Sequence, residues 1–190
     1  MKNSNDTKQR LIDVTRKMID TRGVDSVSMR DLGKEMNLSR SAVYVYFKNK
    51  DDLLAAVITE NYETLTSRIR RLMEEINDPR KLVYEALYTF YDFGIKNHEQ
   101  YQLMFRKQWG KDYPLLHTAA VETYGAIHKC LEIAHERNDT INKSPKQLTA
   151  MASAFIAGLV DLNSAGHLEP EKGLDDPSGL IHSFLDLMFV

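Results

Sequence analysis

The residues of this chain best placed to do chemistry at a surface are Arg40, Ser41, Ala42, Tyr44 and Tyr46, within SMRDLGKEMNLSRSAVYVYFKNK (Ser28 to Lys50). At helical spacing they fall on one side or its edges, with Val43 and Phe47 turned the other way. A guanidinium forks onto guanine, small side chains let a helix approach closely, and phenolic hydroxyls reach phosphate. That chemistry suits a DNA major groove. Residues that would support turnover lack the required spacing. His98-Glu99 is not followed by a second His four residues on, as a zinc-binding helix needs. No Gly-rich phosphate loop, paired-Cys motif or nucleophile elbow is present. His117 and His128 fall on roughly the same helix face but need further ligands to hold a metal. The expectation is a non-enzyme with no metal and no cofactor.

Short helices with a tight turn must position the reading residues. Ser28 caps the first, with Asp31 three residues on closing a capping box. Met29, Leu32 and Met36 face inward, Asn37-Leu38 turns, and Ser39 caps the second helix. This is the helix-turn-helix pattern. Before it, Leu11, Val14, Met18 and Ile19 predict a bracing helix from Thr7 to Arg22, which Gly23 ends in a left-handed conformation. After it, Asn49 and Asp52 form a cap for a helix from Lys50 to Ile76. Leu53, Leu54, Val57, Ile58, Tyr62, Leu65, Ile69, Leu72 and Ile76 make its apolar stripe. At ~1.5 Å per residue it spans roughly 40 Å.

The stretch Thr7 to Val57 resembles the N-terminal domain of the TetR family of bacterial repressors. Gly23, the Ser-Met-Arg-Asp start at Ser28, Leu38-Ser39-Arg40 at the turn and the Tyr-x-Tyr-Phe-x-Asn-Lys run from Tyr44 to Lys50 carry the resemblance without a gap. The family places phosphate grips at the N-termini of the second and fourth helices, which here means Ser28 and Arg30, then Asn49 and Lys50. With Ser39, Arg40, Ser41, Ala42, Tyr44 and Tyr46, these are the expected DNA-binding residues. The resemblance also implies that the long helix carries a shift from body to head.

Charge and composition agree with this. Residues 1–50 hold 11 Lys and Arg against 6 Asp and Glu, whereas residues 51–190 hold 14 against 21. A basic head on an acidic body fits a protein with one end on phosphates. Lys2 and Lys8, in and beside a polar N-terminal arm, are further phosphate contacts or solvated charges. Cys130 is the only cysteine, which fits a reducing cytoplasm. It reads as a small buried apolar residue. No signal peptide or membrane span is visible, and the apolar run Ala150 to Val160 is too short to cross a bilayer.

The rest reads as further helices. Asp78-Pro79, Ser144-Pro145 and Asp176-Pro177 each pair a cap with a proline at the first helical position. Asn97 starts a helix to Gln108, Asp112 to Pro114 opens one reaching Arg137, and Asn138 to Lys143 is a polar loop. Ten of the 17 aromatics lie between Tyr84 and Tyr124. Aromatic and Met side chains line pockets, and helical bundles host ligands between helices. The expected pocket set is Tyr62, Tyr88, Tyr91, Tyr101, Met104, Phe105, Trp109, His117, Tyr124, His128 and Phe155. Asn97, His98 and Glu122 are additional polar candidates in that zone, and Arg106 and Lys107 are its only basic pair. NHEQYQLMFRKQW and AFIAGLVDLNSAGHL resemble a TetR C-terminal domain with a Trp-His-Gly signature. Here Phe155-Ile156-Ala157-Gly158 keeps only the Gly, and His98 stands where Pro is common.

The expected fold is all-α, with about nine helices: a three-helix head over 1–50, then a helical ligand-binding and dimerisation domain over 51–190. The resemblance implies a homodimer through the helices around 145–165 and 177–189. The expected function is a cytoplasmic repressor of near-palindromic double-stranded DNA, released by an unidentified small apolar or amphipathic effector. The alternative is an architectural or accessory DNA-binding protein without a small-molecule ligand.

Overall fold

The computed structural model describes residues 4–137 and 143–189. Lys2, residues 138–142 of the expected polar loop and the side chain of Arg106 lie outside the described residues. Among the described residues the fold is all-α. The helices are α1 (Ser4–Arg22), α2 (Met29–Glu35), α3 (Arg40–Tyr44), α4 (Lys50–Glu75), α5 (Pro79–Lys96), α6 (His98–Arg106), α7 (Pro114–Glu136), α8 (Pro145–Ser164) and α9 (Pro177–Asp186). Most ends fall within a residue or two of those expected. However, α1 starts three residues early and takes Asp6 into its first turn, where a carboxylate favours the N-terminal dipole. The sixth helix ends at Arg106 rather than Gln108.

Packing divides the chain into two compact units, Met1–Tyr62 with Asn97–Ala120, and Glu63–Lys96 with Val121–Val190. The boundary expected at residue 50 separates proposed roles. By packing, the head keeps the first half of α4 and takes in α6.

In the first unit, α1 buries Leu11, Met18 and Ile19, α2 buries Met29 and Leu32, and α4 buries Leu53, Leu54, Val57 and Ile58. Thr15 also faces this core, where its hydroxyl donates to the Leu11 carbonyl at 2.7 Å and so is not stranded. Arg16 bridges Asp13 at 3.2 Å and Glu60 of α4 at 2.7 Å. Helix α6 packs on α1.

In the second unit, α5 packs on α8 and α9, burying Leu82, Leu87, Ile156, Val160, Ile181 and Leu185. The three cap-plus-proline starts form as expected. Asp78 accepts from the Lys81 amide at 2.6 Å and Asp176 from the Gly179 amide at 2.9 Å. Ser144 and Gln147 complete a reciprocal capping box. Cys130 is fully buried, and burial pushes its thiol up to about 12.

Candidate nucleic-acid interface

Helices α2 and α3 have seven and five residues, too short to persist alone. Their turn is fixed by backbone geometry. Asn37 sits at φ 54, the left-handed region that Asn tolerates. The Leu38 amide donates to the Gly33 carbonyl at 2.8 Å. A Cβ at Gly33 would lie 2.9 Å from the Leu38 carbonyl oxygen, so the two helices meet there only because the side chain is absent. Ser39 caps α3 by accepting from the Ala42 amide at 3.1 Å.

Two local expectations are modified. Ser28 accepts from the Asp31 amide at 3.1 Å, but the Asp31 carboxylate accepts a hydrogen bond from the Ser28 hydroxyl at 2.6 Å instead of from the Ser28 backbone N–H. Only half of the box therefore forms. The Ser28 hydrogen bond, followed by Lys34, holds the Asp31 carboxyl below its ordinary value. Gly23 has the expected positive φ of 75, but its ψ of 163 sends the chain out extended rather than left-handed helical.

A cleft of about 370 Å³ opens between the two short helices and the start of α4, lined by Val27, Ser28, Met29, Arg30, Arg40, Tyr44, Lys48, Asn49 and Lys50. Six of the ten expected residues converge here. Lys48 completes four cations on one surface and was missed from sequence, because it follows the end of α3 and belongs to no helical period. Arg40 lies over the Tyr44 ring at 5.4 Å and donates to its hydroxyl at 3.2 Å. This contact orients the fork on an exposed surface. Lys50 donates to the Val24 carbonyl at 2.8 Å, so it also ties the start of α4 to the chain after α1. Asn49 caps α4 through the Asp52 amide at 2.8 Å, and Asp52 accepts from the Lys48 amide at 2.9 Å.

The other four expected residues lie elsewhere. Ser39 caps and pairs with the Ser41 hydroxyl at 2.9 Å, and Ala42 is half-buried. Tyr46 lines a separate groove of about 190 Å³ with Lys8, Phe47 and Tyr113. Val45, beside Tyr46 in sequence, is 78% exposed.

Residues 11–57 match the model of bacterial regulatory proteins of the tetR family. Over this segment the chain is similar to the TetR family. The nicotine-responsive transcriptional repressor HdnoR of Paenarthrobacter nicotinovorans is 34% identical over 86 residues, 45% of this chain and 44% of that protein. The chain spans about half the length of the curated relatives it matches. Solved structures share the fold. A Saccharomonospora viridis protein in complex with choline has a TM-score of 0.82 at 17% identity, covering 98% of this chain and 100% of that one. A TetR-family regulator from Pectobacterium atrosepticum has a TM-score of 0.77 at 16% identity, covering 98% and 95%.

The expected pocket residues are divided between the units. In the first, Tyr62, Tyr101 and Met104 are buried, and Phe105 is exposed against Tyr101 at 4.6 Å. Trp109 donates to the Leu103 carbonyl at 2.9 Å, and His117 contacts the Gly110 carbonyl at 3.2 Å. In the second, Tyr91 is buried and accepts from Asn163 at 2.8 Å. Tyr88 lies against Tyr91 at 6.1 Å and Phe155 stacks on Phe184 at 4.2 Å. His128 meets the Thr149 hydroxyl at 2.9 Å, and Tyr124 is exposed. Among the described residues, no three His, Cys, Asp or Glu stand together as a metal group. No described helix is long and apolar enough to cross a membrane.

Proposed function

We propose that this protein is a DNA-binding transcriptional regulator acting in the cytoplasm as a homodimeric repressor on a near-palindromic operator. The observation carrying this reading is the cleft where Arg30, Arg40, Lys48 and Lys50 converge between the two short helices and the start of α4. Four cations beside an exposed phenol supply phosphate positioning and one base-reading fork. One five-residue reading helix carries little specificity, and a two-fold dimer doubles it. For the dimer, α8 exposes Ala150, Ala154 and Gly158 at four-residue spacing beside Met151 and Leu162.

The proposed effector is a small apolar or amphipathic molecule that releases DNA. The aromatic residues of the body support it, and an organic amine is the class to try first. HdnoR is named for its nicotine response and the S. viridis protein holds choline, while aromatic faces attract cations.

Selection of bound duplexes from a random pool, followed by affinity measurement across salt concentrations, tests the reading. Enrichment of a two-fold site bound with a steep salt slope is expected. Recovery of no preferred sequence would exclude a site-specific repressor. If a site is found and no amine or other amphipathic compound alters its affinity, the accessory DNA-binding role replaces ligand-gated repression.

A further inference from the structure

Three helices of the first unit meet through a chain of polar side chains. Gln100 of α6 is 1% exposed and Asn61 of α4 is 4% exposed. Asn61 Nδ2 donates to Gln100 Oε1 at 2.9 Å. Gln100 Nε2 donates to Asp20 Oδ1 of α1 at 2.6 Å. The order is forced by chemistry. An ionised carboxylate only accepts, so Gln100 turns its nitrogen to Asp20. Its oxygen then faces Asn61, which must present its own nitrogen. Two buried amides add little stability compared with well-packed apolar residues, but they admit one arrangement. A slide of α6 by a single residue, about 1.5 Å, strains both bonds together.

Helices α1 and α4 frame the reading turn. Arg22 of α1 pairs with Glu35 of α2 at 2.7 Å, and Lys50 opens α4 inside the cleft. We infer that Asp20, Gln100 and Asn61 are positioning residues that key α6 to α1 and α4 in one register, and thereby hold the cleft in its duplex-gripping pose. This rests on the DNA-binding reading above.

The test reverses the chain's direction. Asn61→Asp sets a carboxylate against Gln100 Oε1, so one amide nitrogen is demanded on two sides. Adding Asp20→Asn lets Gln100 turn over, donating to the new carboxylate at 61 and accepting from the new amide at 20. On the duplex selected by the wild-type protein, Asn61→Asp is expected to lose about tenfold or more in affinity, and the double variant to recover to within about threefold. The apolar pair Asn61→Leu with Gln100→Leu is expected to keep or raise the melting temperature while losing about tenfold in affinity. Hydrogen exchange of α1 and α6, measured without DNA, should quicken in Asn61→Asp and return to wild type in the reversed pair.

Wild-type affinity in the apolar pair, or no recovery in the reversed pair, would overturn the assignment. Should the wild-type protein select no duplex, the DNA-binding reading fails, and the exchange data still decide whether the chain keys the helices.

Discussion

The turn between α2 and α3 and the packing of α5 with α8 obtain their shapes from different sources. The turn depends on what is missing or unusual in the backbone: the absent Cβ at Gly33, the positive φ of Asn37 and two serine caps. Helices α5 and α8, with 18 and 20 residues, depend on interlocking apolar volume. A region shaped by backbone tolerates almost nothing at one or two positions and much elsewhere. A region shaped by volume spreads its sensitivity over many residues. Mutations of comparable size should therefore have dissimilar consequences in the two places.

The largest effect is expected at Gly33. Gly33→Val drives a branched side chain into the Leu38 carbonyl and should cost roughly 3 kcal/mol or more, abolishing duplex binding. A variant with wild-type melting and binding would show that the turn has room to relax. In the other region, Leu87→Ala should cost about 2–5 kcal/mol in chemical denaturation. Duplex affinity should stay near wild type at temperatures where the protein is folded. A selective loss of DNA binding would undo the contrast between the two regions.

Arg40→Ala should cost about 1–3 kcal/mol at a single base pair, read as relaxed preference there in a repeated selection. Lys48→Ala should instead weaken all duplexes similarly and reduce the salt slope by about one. If the two give the same pattern, the division into reading fork and phosphate grip is wrong. The smallest change is Ser39→Ala, about 1 kcal/mol from the lost cap. Ser39→Asp should restore the melting temperature, since a carboxylate caps equally well.

The head was legible in the sequence because its signals are local. Caps, a glycine, an asparagine and a helical period each act within about four residues, the range that pattern-reading covers. Thus Ser28, Ser39 and Asn49 cap where they were expected to, and the same local signal holds for Ser144 in the second unit. What escaped is of two kinds. Lys48 lies in a segment with no period, and only folding brings it beside Arg30. The placement of the aromatic residues depends on long-range packing. Tyr101 and Tyr91 differ by only ten positions, yet they fall in different compact units. The Gln100 chain belongs with these. Nothing in a glutamine on an amphipathic helix indicates that its partners are 39 and 80 residues away.

The burial of Cys130 has a practical consequence for spectroscopy. As the only thiol in the chain, fully enclosed and held in the protonated form by its surroundings, it should be nearly inert to maleimides in the native protein. A cysteine introduced at the exposed Val45 would then be the only fast-reacting position. One fluorophore or spin label could be placed beside the proposed DNA-facing surface without altering the native residue, and in a two-fold assembly a single substitution would yield a symmetric pair of probes.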